Sequence, residues 1–120
     1  MATNQLPIDG LAASAKKIVM AVTLNTPTAA ELPLVLGMPD DWTLKQLLVT
    51  SNNASVDVDF SILVNGTEGT GYDTVTYDDN SSVGTVIADL NIDAADKVSL
   101  DLVSVTSPGI ISFTLIGEYR

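Results

Sequence analysis

The stretch VDVDFSILV, residues 56–64, decides the fold. It alternates without a break: Val56, Val58, Phe60, Ile62 and Val64 fall on one side, Asp57, Asp59 and Ser61 on the other. Successive side chains leave a pleated backbone on opposite faces, so a period of two marks a strand with one face in a core and one in solvent. Immediately after it comes Asn65-Gly66, the preferred pair for a tight hairpin turn.

That turn opens a longer stretch, VNGTEGTGYDTVTYDDNSS (64–82), which crowds three glycines, one Glu and three Asp together. Its GTEGTG segment has the spacing of a phosphate-binding loop, but Tyr72 and Asp73 stand where Lys and Ser or Thr must follow. Without the Lys nothing neutralises a phosphate, and Glu68 would repel one. The acidic residues make a better cation candidate. Calcium takes six to eight oxygens, and Asp73, Asp78, Asp79 and Asn80 offer several on a short segment. The EF-hand spacing and its closing Glu are absent, and Asp, Asn and Ser are equally what a strand connection uses. Asp93 and Asp96 in NIDAAD are a weaker version of the same idea. No other cofactor is implied.

Outward from this centre the two-residue period continues almost everywhere. Before it lie KKIVMAVTLN (16–25), ELPLVLG (31–37) and TLKQLLVT (43–50), with Asp40 and Asp41 in the turn ahead of Trp42. Pro33 places the second of these at a sheet edge or a bulge. After it lie YDTVTY (72–77), GTVIADLNI (84–92), KVSLDLVSV (97–105) and GIISFTLIGEY (109–119). In the seventh run the phase slips at Val103 and Val105, as a bulge requires. Gly, Pro, Asn, Asp and Ser separate the runs at about ten-residue spacing. The expectation is an all-β chain: a single β-sandwich of about eight strands, jelly-roll-like, over residues 16–120. Residues 1–15, with Pro7 and Gly10 and no clean period, read as an N-terminal arm. GLAASAKK and DWTLKQLL are the only helix candidates, both short enough to be strand or turn.

Composition narrows the function. The chain has 120 residues, 46 % of them hydrophobic, enough for one domain with a proper core. There is no Cys and no His. That removes thiolate metal sites, the commonest general base and any Ser-His or Cys-His couple, so the chain is expected not to be an enzyme. The Asp57/Asp59 pair reads as a solvated strand face. Fifteen acidic groups against five basic ones leave a net charge of −10, which repels nucleic-acid backbones and anionic membranes. No apolar run reaches the length of a membrane helix, and the start lacks the pattern of a signal peptide. Asn53, Asn65 and Asn80 match the glycosylation triplet, which a chain rich in Asn, Ser and Thr produces by chance. Trp42, Tyr72, Tyr77 and Tyr119 are too scattered along the chain to define a sugar-binding platform, and Trp42 reads as a core or interface anchor.

From residue 41 onward the order of features resembles a β-sandwich module of bacteriophage virion proteins: capsid decoration proteins, head fibres and tail-fibre-like modules. The resemblance is carried by Trp42 before a strand, VDVDFSILVNGT with its Asn-Gly turn, and NIDAADKVSLDLVSVTSPGIISFTLIGEYR. Ala95-Asp96 stands where Gly-Asp is usual in that module. The family pattern has no catalytic or ligand residues to carry over. The resemblance implies a structural, non-enzymatic virion protein, a homo-oligomer and commonly a trimer, that decorates and stabilises the outside of a capsid by binding the major capsid protein. Leu6, Ile8 and Leu11 of the arm, with Trp42, are the expected partner contacts. The competing expectation is a carbohydrate-binding or tail-fibre-type adhesion module, with the aromatic residues stacking on sugar and Asp78 and Asp79 holding calcium.

Overall fold

The computed structural model describes residues 17–78 and 84–120. Their regular structure is entirely β: β1 (Lys17–Asn25), β2 (Ala30–Val35), β3 (Trp42–Ser51), β4 (Asp57–Val64), β5 (Thr67–Glu68), β6 (Val75–Asp78), β7 (Thr85–Ile92), β8 (Val98–Thr106) and β9 (Ile110–Tyr119). Sheet A has the order β1-β9-β3-β7; sheet B has β2-β8-β4-β5, with β6 also paired to β4. All pairings are antiparallel.

The topology follows from one nested ribbon. β4 pairs with β6, β3 with β7, β2 with β8 and β1 with β9, so the chain runs out and returns beside itself. Rolling that ribbon lays β9 against β3 and β8 against β4, which creates two facing sheets. This is the winding of a jelly roll. The stretch read first, β4, is the last outward strand of the ribbon, and residues 65–74 are its tip.

Alternation along the strands fills the space between the sheets. Val58, Phe60 and Ile62 of β4, Leu100 and Leu102 of β8, Leu44, Leu47 and Val49 of β3, and Ile111, Phe113 and Leu115 of β9 are all buried. Phe60 and Phe113 meet across the sheets edge to face, ring centroids 5.0 Å apart at 75°, a geometry that sets a positive ring edge against a negative face.

The irregularities fall where the sequence placed its punctuation. β2 is an edge strand, and its register slips between Pro33 and Val35. β8 slips so that Asp59 faces Ser104 and Phe60 faces Leu102, leaving Val103 as the extra, exposed residue of a bulge. Asn65 and Gly66 both have positive φ (52° and 81°), as a two-residue hairpin turn requires, and they lead into the short β5. DWTLKQLL is strand, not helix. The run 72–77 becomes strand only from Val75, because Tyr72 turns inward and Thr74 takes a left-handed φ of 53°. Arm residues 1–15 lie outside the described part of the chain.

Candidate interaction surfaces

The two outer faces differ in charge. The strands of sheet B carry Glu31, Asp57, Asp59, Glu68, Asp78 and Asp101 and no Lys or Arg. By register all six point away from the core, and Glu31 stands directly opposite Asp101, as Asp57 does opposite Asp78. Like charges at facing positions weaken a sheet, so this face keeps its carboxylates against a local cost. Asp59 is relieved by Thr76, whose hydroxyl donates to its Oδ1 at 2.7 Å.

Sheet A is balanced instead. Its strands carry Lys17, Lys45, Asp89 and Glu118. Lys45, at a register shift in β3, pairs with Asp89 at 3.1 Å. Beyond the charged positions, toward Asn25 and Ser51, run two uncharged rows. One is Val19, Ile116, Gln46 and Ile87; the next is Ala21, Thr114, Leu48 and Thr85. Val19 is 59 % and Ile87 79 % exposed on this face, whereas sheet B sets its exposed Val103 among carboxylates and hydroxyls. An exposed apolar band framed by polar residues is the ordinary form of a protein-binding surface.

The two side seams of the sandwich also differ. On the β7 side, the tip of the ribbon folds over the gap. Tyr72 is completely buried there, its hydroxyl donating to the Ala88 carbonyl at 2.7 Å, and Gly69 lies tight against the Leu90 side chain. Burial pushes the Tyr72 pKa up, the Ala88 hydrogen bond opposes that, and Asp89 adds to it, so the group is a neutral donor. On the opposite side, Met20, Ala21, Val22, Leu34 and Leu115 line an open apolar cleft of about 250 Å³ between β1 and β2. Ile18, Met20, Val22, Leu24, Leu32 and Leu34 are only half-buried along it.

One end of the molecule is latched by polar side chains. Asn65 donates to Asp96 Oδ1 and accepts from the Lys97 amide, both at 2.9 Å, while Asp96 Oδ2 takes the Asp93 amide at 2.9 Å. The Asn65 side chain, then the Asp93 amide, holds the Asp96 carboxyl below its ordinary pKa. Ala95, at the position where the resemblance expects Gly, has a φ of 72°. Sequence reading found both turns but not that they bond to each other, because a contact between positions 65 and 96 leaves no local pattern.

The expected site residues are dispersed. Asp73 accepts from the Gly71 amide at 3.2 Å, and Asp78 ends β6 opposite Asp57. Asp79 and Asn80, the other two calcium candidates, lie outside the described residues, as do Leu6, Ile8 and Leu11. Among the described residues no three acidic side chains gather into a metal-binding group. The structure corrects the place of Trp42: it is fully enclosed, lying on Gly117 of β9, and so is a core residue rather than a surface contact. Its Nε1–H finds no acceptor there. Trp42 and Tyr72 are both closed to solvent, so neither offers a face for stacking on sugar. Tyr77 borders a polar groove of about 450 Å³ with Ser51, Asn52, Asn53 and Asp78, a single aromatic without a second ring beside it.

Two solved structures share this architecture. A chain of the "Acidic stable capsid structure" of Helicobacter pylori bacteriophage KHP30 superposes with a TM-score of 0.60 at 8 % identity, covering 87 % of each chain. The nucleoplasmin-like N-terminal domain of Drosophila FKBP39 gives a TM-score of 0.54 at 10 % identity, covering 88 % of this chain and 92 % of that one. No protein-family model and no curated protein sequence matches. At these identities the likeness is one of fold: an antiparallel two-sheet sandwich, found in a phage capsid and in a eukaryotic domain alike.

Proposed function

We propose that this chain is a structural virion protein that decorates and stabilises the outside of a phage capsid. The observation that carries the reading is the unequal pair of outer faces. Sheet A, with its uncharged rows around Val19, Ile116, Leu48 and Ile87, is the surface for association. Sheet B, with six carboxylates and no strand cation, faces solvent. The fold likeness to a chain of a bacteriophage capsid structure supports the same direction. On this reading the chain is non-enzymatic, a trimer is the favoured homo-oligomer, and the major capsid protein is the partner. A lattice protein works by bridging neighbours, so each further contact forms at the high effective concentration set by the first, and the avidity exceeds the affinity of any single contact.

The test is direct. The purified protein is sized by light scattering and then mixed with undecorated phage capsids, which are pelleted and challenged by heat. Trimers that co-pellet and raise the temperature of capsid rupture support the reading. A monomer that stays in the supernatant refutes it. The adhesion-module alternative predicts a different pattern: glycan-array binding and a melting temperature that rises with calcium and falls with chelator.

A further inference from the structure

We propose that Asn65-Gly66 is a site of covalent self-modification by deamidation, held shut by the bonds that join its turn to the turn at residues 93–97. The inference is independent of the capsid reading. The sequence contains one Asn-Gly pair. Such a pair is the most reactive of its kind, because glycine has no side chain to shield its nitrogen from the preceding side-chain amide. The Gly66 nitrogen gives up its proton and bonds to Asn65 Cγ, while Nδ2 gains a proton and leaves as ammonia, closing a succinimide ring. Water then opens the ring at either carbonyl, leaving Asp or its isomer with the backbone routed through the side chain. Water is the only co-reactant in this balance.

Burial is not what protects this pair. Asn65 is exposed, and a Cβ built on Gly66 meets nothing within 4 Å. Conformation protects it first. Asn65 has a φ of 52°, in the left-handed region where ψ is positive too. That rotation carries the Gly66 nitrogen away from the Asn65 side chain about the Cα–C bond, so the ring closes only if the turn flips. The latch then holds the turn. Asn65 Nδ2 donates to Asp96 Oδ1, its Oδ1 accepts from the Lys97 amide and its backbone N–H donates to the Lys97 carbonyl, each at 2.9 Å. The facing turn is itself anchored, the Ala95 amide donating to the Met38 carbonyl at 2.7 Å and the Met38 amide to the Asp96 carbonyl at 2.8 Å. Reaction therefore waits on a local opening that breaks several bonds together.

The product cannot remake the latch. A carboxylate at position 65 has no N–H to donate, and it stands against Asp96 Oδ1 where the amide stood, like charge against like. The isomer also lengthens the backbone inside a two-residue turn that joins β4 to β5. Shut, the latch slows the chemistry; once the chemistry has occurred, that end of the sandwich stays open. The site records time in solution, in one direction.

The full chain is incubated at neutral pH and conversion of Asn65 is followed by peptide mass, with the isomer scored by enzymatic methylation. The same chain held in urea gives the unprotected rate. The native protein should convert about tenfold or more slower, and Asp96→Ala, checked as folded by circular dichroism, should recover most of that difference. Ile111→Ala weakens the core near the other end of β9 without touching the latch, and should stay within about twofold of wild type. Hydrogen exchange of the Lys97 amide, which bonds to Asn65 Oδ1, reads latch opening in the unaltered protein, and its slowing should match that of deamidation within about tenfold. Asn65→Asp, the hydrolysed product made directly, should melt below wild type. A native rate equal to that in urea overturns the proposal, as does a Lys97 amide that exchanges freely. Ile111→Ala converting as fast as Asp96→Ala overturns it too, since protection would then belong to the whole fold. Asn65→Asp melting at or above the wild-type temperature overturns the one-way consequence.

Discussion

Gly117→Ala should be a strongly damaging single-methyl change. Gly117 sits on β9 between β1 and β3, directly beneath the Trp42 indole. A Cβ built there falls inside the contact surfaces of Trp42 Cζ2 and Cε2 and of the Thr43 carbonyl oxygen. Neither neighbour can yield: the indole is fully buried, and the oxygen belongs to the backbone of β3. Relief would need β9 to move away from β3, straining its pairing with both neighbours. Overpacking of this kind costs about 1–3 kcal/mol, and two rigid obstacles put this case at the upper end. For a domain of this size ~3 kcal/mol corresponds to a fall in melting temperature of roughly 12 °C.

Thermal melts followed by far-UV circular dichroism and by calorimetry measure it. A second variant identifies the cause. Trp42→Phe removes part of the obstructing ring and the N–H that lacks an acceptor, so Gly117→Ala should cost less in that background than alone. A Gly117→Ala protein melting within about 2 °C of wild type, less than 1 kcal/mol on the same scale, would refute the packing argument. Equal costs in both backgrounds would move the blame from the indole to the Thr43 carbonyl.

Other expectations follow from the same geometry. Phe113→Ala should cost about 3–5 kcal/mol by chemical denaturation, since it opens a cavity and removes the edge-to-face partner of Phe60. Ile87→Lys should leave the melting temperature within about 2 °C, the side chain being 79 % exposed, while, on the proposed reading, weakening association through sheet A as followed by light scattering and capsid co-pelleting. Asn65→Ala should lower the melting temperature at neutral pH by roughly 5 °C. Asp96 has its carboxyl pKa lowered by folding, so the stability it contributes is present above the ordinary carboxylate range and disappears as pH falls through the folded value. The wild-type advantage over Asn65→Ala should therefore narrow as the protein is acidified, and a constant gap would refute the Asn65–Asp96 bond as its source.

Much of this fold was legible because its instructions are local. The alternation in β4, the Asn-Gly turn, Pro33 and the phase slip at Val103 each act over two or three residues, and each lies where the sequence placed it. Tyr72 misled because its β-forming character is overridden by a bond to Ala88, sixteen positions away. Trp42 was ambiguous for a related reason: whether an anchor is core or interface depends on Gly117, which no period links to it. The surfaces were harder still. The Asp residues of β4 and the Glu of β2 could be assigned to outer faces, but only the strand order gathers them on one sheet and leaves the other neutral.

That segregation gives the molecule an electric direction. Its negative end is sheet B, so in the field of another acidic body it turns sheet A forward before contact, within the ~8 Å or so over which physiological salt lets charges sense each other. If copies attach through sheet A, as proposed, the face they present outward carries the six carboxylates of sheet B. A further copy approaching through its own sheet B would meet a like-charged face, and one approaching through sheet A would meet carboxylates where an apolar row is needed. On the proposed decoration reading, growth perpendicular to the capsid would then stop at a single layer, a limit on thickness set by strand order.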